Sequence, residues 1–183
     1  MHRRPLLTLI DRYAARYPDE TTTSRLRRFV ETHPDCFERS CSPGHITGSA
    51  WILSPDRKRA LLTHHRKLDK WLQLGGHVDG SSDIPAAALR EAQEESGIES
   101  FRWLHARGSD ELTPLDLDIH LIPARGAEPA HHHYDVRFLL WAESYDISIS
   151  DESNDLRWFT PEEIQQVSNE ESLLRMLRKT PTL

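Results

Sequence analysis

Two cysteines, Cys36 and Cys41, are all that the 183 residues hold. A disulfide scaffold is therefore not implied, and a reducing, cytoplasmic setting is the simple reading. Spaced as they are, with no second pair, they make a weak metal motif and read as two ordinary thiols. Positive charge is also scarce: 23 Lys and Arg stand against 29 Asp and Glu, a net charge of −6. General nucleic-acid binding through a basic surface is not suggested. No stretch is apolar and long enough to cross a bilayer. The run after Arg3 and Arg4 is short and is broken by Asp11 and Arg12, so it reads as neither a signal peptide nor a membrane span. Repeats and low-complexity tracts are missing too, apart from His131-His132-His133.

What is present fits one domain with a substantial core and a small extension. Leu6, Leu9, Ile10, Tyr13 and Ala14 follow a helical period over residues 6–17, which Pro18 ends. Leu26, Phe29, Val30 and His33 repeat that period before Pro34. Together they predict an N-terminal helical hairpin over residues 1–43. The simple reading is a packing extension; a dimer arm, giving a homodimer, or a substrate lid is the other.

From Gly44 the texture changes to strands, and residues 44–183 read as the main domain. Residues 45–53, 58–65 and 71–74 are β-rich, with a turn at 54–57 and a charged loop at 66–70. After the central helix, residues 101–105 look like a strand. Leu115, Leu117, Ile119 and Leu121 alternate with polar positions as in a half-buried strand, and residues 134–142 read as an inner strand. Residues 156–159 form a short strand. Thr160, Pro161 and Glu163 combine an N-cap, a first-turn proline and a capping-box glutamate. Ser168 and Glu171 repeat that spacing before a last helix over 172–179. The expected architecture is α/β: a mixed β-sheet with helices on both sides, an α/β/α sandwich.

The chain is organised around residues 75–98, GGHVDGSSDIPAAALREAQEESGI. Asp83 can cap a helix whose first turn tolerates Pro85. Ala86, Ala87, Ala88, Leu89 and Ala92 favour it, and Gly97 stands where a left-handed C-terminal residue is wanted. Spacings of three and four residues put Glu91, Glu94 and Glu95 on one helix face. Such hard oxygen ligands suit Mg²⁺ or Mn²⁺. Alone, the acidic stripe reads more simply as a solvated helix face.

The whole string resembles the Nudix hydrolase signature, G-x5-E-x7-R-E-U-x-E-E-x-G-U, with U a bulky apolar residue. Gly76, Arg90, Glu91, Glu94, Glu95, Gly97 and Ile98 fall on its positions. Ser82 replaces the first glutamate and Ala92 the first U. The resemblance covers the main domain and not residues 1–43. It implies the Nudix α/β/α sandwich and divalent-metal-dependent hydrolysis of a diphosphate linkage in a nucleoside diphosphate joined to another group. By motif position it implies Glu91, Glu94 and Glu95 as metal ligands, the Gly75 carbonyl joining them, and structural roles for Arg90, Gly76 and Gly97. Glu94 and Glu95 are candidates for the chemistry itself, and Glu152 is the loop acid most suited to be the general base, with Glu143 next. The implied partner is a small nucleotide diphosphate derivative, with no membrane. The competing reading, supported by Ser82, is a weakened Nudix domain that binds or senses a nucleotide.

The histidines form a second theme. His77 and Asp79 lie inside the signature loop, and His120 lies on a strand with Asp118. His131 and His133 share a face with Asp135 if that stretch is extended. As a group, His77, Asp79, His120, His133 and Asp135 are candidates for contacting substrate phosphate or a second, softer metal. The other reading is polar surface beside a loop.

Overall fold

A computed structural model describes residues 2–105, 111–126, 128–151 and 153–180. Two helices come first, α1 (Arg4–Arg16) and α2 (Thr22–Thr32). Their buried residues, Leu6, Leu9, Ile10 and Tyr13 on α1 and Leu26, Phe29 and Val30 on α2, keep the expected helical spacing. The strands are β1 (Gly44–Leu53), β2 (Ala60–His65), β3 (Lys70–Leu72), β4 (Leu74–His77), β5 (Phe101–Trp103), β6 (Asp116–Ile122), β7 (His131–Ala142) and β8 (Ser153–Phe159). Helix α3 (Ile84–Ser96) follows β4, and α4 (Pro161–Val167) and α5 (Glu171–Lys179) close the chain.

All the strands join one sheet in the order β3-β2-β1-β7-β5, with β4 on β1, β6 on β7 and β8 on β2. The central pair, β1 and β7, is parallel, and the other pairings are antiparallel. The period of two along a strand divides the sheet into two faces. On one face Ile46, Val136 and Phe138 pack with α1, α2 and α3 through Leu6, Phe29, Ala87 and Ala88. On the other, Trp51, Leu53, Leu139 and Phe159 pack with Ile164 of α4 and Leu173 and Met176 of α5. The result is an α/β/α sandwich on a mixed sheet. The first two helices share the main core, and Tyr134 stacks on Phe29 with ring centroids 3.7 Å apart. No helix among the described residues is long and apolar enough to cross a membrane.

Three local expectations change. Strand β7 begins at His131 rather than Tyr134, because β1 and β6 supply backbone partners to the histidines, Gly44 opposite His132 and Ile122 opposite His131. The last helix has no side-chain cap from Ser168; its N-cap is Glu170, and Ser168 Oγ accepts from the Glu170 N–H instead. Asp116, read as the polar side of a half-buried strand, is fully buried. The reason is α5, which lies over this part of β6.

Burial of Asp116 is made tolerable by a network of cations. Arg137, only 2% exposed, donates to Asp135 at 2.7 Å, Asp116 at 3.2 Å and Asp118 at 3.1 Å. Arg175 of α5 forks onto both oxygens of Asp116 at 2.7 Å, and Lys179 reaches Asp116 at 2.7 Å and Glu20 at 2.6 Å. Burial opposes ionisation of Asp116, but Arg175 and Arg137 outweigh it and hold the carboxyl below the usual range. A buried ion left without its partner costs far more than the intact set contributes. Arg137→Met should therefore lower unfolding free energy by about 3–5 kcal/mol, read by denaturant titration. Asp116 binds a proton more readily in the unfolded chain than in the folded one. Its contribution is thus complete above the unfolded value of about 3.9 and is lost as pH falls below it. Tm measured against pH should decline steeply from about pH 4 downward, and less steeply in Asp116→Asn.

Candidate active site

Strand β4 carries the two glycines to the edge of β1, with Gly75 opposite Ser49 and Gly76 opposite Gly48. Gly75 has φ +149°, and a Cβ on it would lie 2.4 Å from Ser49 Oγ, so a side chain is excluded both by space and by backbone conformation. Its N–H donates to Glu95 Oε2 at 3.0 Å. A Cβ on Gly76 would stand 2.5 Å from Glu91 Oε2. The space left by that missing side chain is the seat of the Glu91 carboxylate.

Helix α3 starts as expected. Asp83 accepts from the Ala86 N–H at 3.1 Å, Pro85 lies in the first turn, and Gly97 ends the helix at φ +71° with its N–H on Gln93 O. Ala88 and Ala92 are buried against the sheet, Glu91 and Glu95, half-buried, meet Gly76 and Gly75 of β4, and Glu94 is exposed. Arg90 binds three groups: it donates to the His77 carbonyl at 2.9 Å, lies 2.8 Å from Glu91 Oε1 and reaches Glu94 at 3.5 Å. It thereby fixes β4 to α3 and lowers the repulsion between neighbouring carboxylates. Ser82 lines a groove of about 540 Å³ against α1 with Pro5, Leu9 and Pro85. Asp83 is engaged as the cap.

The donor set on α3 fits a hard divalent ion. It offers three carboxylates, one of them seated where a Cβ would otherwise be, beside the backbone of a glycine strand. The three do not form a closed group of ligand atoms. Among the described residues, the three His, Cys, Asp or Glu residues whose ligand atoms lie within 4.8 Å of one another are His45, His131 and His133.

The structure brings the histidines together on the sheet face opposite α3. His77 and His133 have ring centroids 5.3 Å apart, and His120 and His133 5.5 Å. At the centre is His45, a strand residue with no motif of its own in the sequence; its ring centroid lies 5.0 Å from that of His77, 5.1 Å from that of His131 and 4.8 Å from that of His133. The alternation His45-Thr47-Ser49 is the signal that marks its face, but only the pairing of β1 with β7 connects it to His133. Burial pushes the His45 imidazole down to about 4 and His133 to about 2, and it lowers His77 as well.

Two other candidates are otherwise engaged. Asp135, 1% exposed, accepts from Thr47 at 2.9 Å, Ser49 at 2.8 Å, Gln73 at 3.3 Å and Arg137 at 2.7 Å. Four donors fill its two oxygens, so it serves the buried network and not the histidines. Asp79 is exposed and accepts from Arg39 Nε at 2.6 Å, which holds its carboxyl below the usual range. Glu143 pairs with Arg102. Glu152 lies outside the described residues.

This sandwich, with a glutamate-bearing helix packed behind a glycine strand, is the architecture of a Nudix hydrolase. The sequence model of the NUDIX domain matches residues 45–179, and the chain belongs to the Nudix hydrolase family. Solved structures give the same fold. A NUDIX-family hydrolase from Clostridium perfringens is 23% identical, with 74% of this chain and 93% of that one covered and a TM-score of 0.57. The E. coli dihydroneopterin triphosphate pyrophosphohydrolase is 18% identical over 73% of this chain and 92% of its own, with a TM-score of 0.56. A MutT Nudix hydrolase from Burkholderia pseudomallei is 22% identical over 74% and 97%, with a TM-score of 0.55. Comparison with curated proteins finds no match.

The seat of Glu91 gives a direct test. Gly76→Ala should displace that carboxylate and weaken Mn²⁺ binding, followed by electron paramagnetic resonance, about 10- to 100-fold, as loss of a supporting contact does. Unchanged Mn²⁺ affinity would show that the position of Glu91 is immaterial.

Proposed function

We propose that the protein hydrolyses a diphosphate linkage in a small nucleoside diphosphate derivative, using Mg²⁺ or Mn²⁺ held by Glu91, Glu94, Glu95 and the Gly75 carbonyl. The observation that carries this reading is the glutamate face of α3 set against Gly75 and Gly76 in a chain of Nudix membership. Its fold neighbour in E. coli is a pyrophosphohydrolase of dihydroneopterin triphosphate, which is in keeping with this bond type. When bound, a divalent ion supplies charge neutralisation at phosphate oxygens and a lowered pKa for water.

The chain's own residues do the rest. Glu91 is fixed by Arg90 and by the space at Gly76, and Glu95 by the Gly75 N–H. Two carboxylates are thus oriented before any ligand arrives, which reduces the reorganisation needed in the reaction. Glu94, exposed and 3.5 Å from Arg90, completes the carboxylate set, and Glu152 is the candidate to accept the proton of the attacking water. Arg90 is the positioning residue, since its planar guanidinium spans the carboxylates and the His77 carbonyl. The domain comprises residues 44–183, and residues 1–43 are its packing extension, supported by the burial of Leu6, Ile10, Leu26 and Val30 in the shared core.

The test is a substrate panel with Mg²⁺ and Mn²⁺, covering nucleotide sugars, dinucleoside polyphosphates and dihydroneopterin triphosphate. The phosphate that gains the solvent oxygen is read by isotope-labelled water. Glu94→Gln should cut kcat about 10²- to 10³-fold, as expected for losing several kcal/mol of charge stabilisation. An active wild type with an equally active Glu94→Gln would contradict the assignment. Tight nucleotide binding without turnover across the panel would favour the sensing reading.

A further inference from the structure

The histidine cluster lies across β4 from the glutamates, and the reaction proposed above assigns it no step. We propose that His45, His131 and His133 form a binding site for a borderline divalent transition metal of the zinc type, distinct from the carboxylate row on α3.

The first observation is geometric. Each of the three offers a ring nitrogen, and these atoms lie within 4.8 Å of one another. The Nε2 atoms of His131 and His133 are 3.3 Å apart. Two nitrogens in a tetrahedral zinc shell, with Zn–N of about 2.0–2.1 Å, are separated by about 3.4 Å. His131 is also oriented as a ligand. Its Nδ1 meets the Pro129 carbonyl at 2.9 Å, and a carbonyl only accepts, so the proton is on Nδ1 and Nε2 carries the lone pair.

The His131–His133 contact alone could equally be an N–H donating to a lone pair. His45 separates the two readings. It is 1% exposed, and neither of its ring nitrogens has a hydrogen-bond partner among the described residues. Burying an imidazole with both nitrogens unmet is costly, and its ring stands 4.8 Å from His133 and 5.1 Å from His131. A cation taking one lone pair from each of the three offsets the part of that cost that falls on the acceptor nitrogen of His45.

The chemistry of the set selects the ion. Imidazole nitrogen suits zinc, copper, nickel and iron, whereas magnesium and calcium prefer oxygen. A phosphate would want cationic donors, whereas His131 keeps its proton on Nδ1, toward the Pro129 carbonyl, and turns a lone pair toward His133, which is the arrangement that binds metal. The nearby Arg39 is bonded to Asp79. Two further histidines border the site. His77 lies 5.0 Å from His45 and is the candidate for a fourth ligand. His120, 5.5 Å from His133, has its Nδ1 on Asp118 at 3.1 Å.

The experiment uses the full-length protein stripped with a chelator and titrated with Zn²⁺ or, as a visible probe, Co²⁺. The wild type should take one ion per chain at this site, show the intense visible absorption of low-coordinate Co²⁺, and gain Tm with Zn²⁺. His131→Ala and His133→Ala should weaken Zn²⁺ binding by more than the about 10- to 100-fold seen when only a supporting contact is lost. His45→Ala, at a buried position, is judged only if circular dichroism shows it folded; His131→Ala, at a partly exposed one, carries the test otherwise. Glu94→Gln should keep the Co²⁺ spectrum, because it touches only the carboxylate row. The proposal is overturned if the stripped wild type binds neither ion, or if the spectrum survives His131→Ala and vanishes with Glu94→Gln. Stabilisation by inorganic phosphate with none by Zn²⁺ would likewise overturn it.

Discussion

Ten residues of β1 run parallel to β7, from Gly44 beside His132 to Leu53 beside Trp141. In parallel register, partner residues point to the same face, so this one pairing assigns every side chain along it to one of two environments. Ile46, Ala50 and Ile52 go with Val136, Phe138 and Leu140 into the cores roofed by α1, α2 and α3. His45, Thr47 and Ser49 go with His133, Asp135 and Arg137 to the other face. A slip of one residue would bury the polar row beneath the first three helices and expose the apolar one. The polar row is stable where it is because it is internally paired: Thr47, Ser49 and Arg137 all donate to Asp135.

Strand β4 then divides two kinds of chemistry. On its α3 side are carboxylates, hard donors arranged along a helix turn. On the other is a nest of imidazoles, softer donors held by the sheet. Arg90 bridges the divide, with its guanidinium between Glu91 and Glu94 and its Nη2 on the His77 carbonyl. The backbone of β4 is therefore common to both groups, and a shift of His77 would reach the glutamates through a single hydrogen bond. Further along the imidazole face of the sheet, Arg175 and Lys179 lock α5 onto Asp116, and Lys179 ties Glu20 to the same point. The N-terminal helices are thereby held by charge as well as by their apolar contacts.

Most of the helices were legible because their signals are local. Apolar spacing marked α1 and α2, Asp83 and Gly97 marked both ends of α3, and Thr160 with Glu163 formed the capping box that was read for α4. The start of β7 was not legible. His131-His132-His133 has no strand character of its own, and it is extended because β1 and β6 offer partners on both sides. The burial of Asp116 was hidden for a similar reason: alternation shows that two faces differ, not whether a helix from the end of the chain will cover the polar one.

What the sequence determined by itself is the glutamate helix and its glycine strand. A reaction that needs several carboxylates on one face can draw them from a single turn of helix, and the spacing is then written contiguously from Gly76 to Ile98. What only the tertiary structure decided is the company of His45. Its neighbours His77, His131 and His133 come from strands far along the chain, and the hydrogen-bond register of β1 with β4 and β7 brings them within 5.1 Å, ring to ring. Register arises from the packing of whole faces, so no short motif records it.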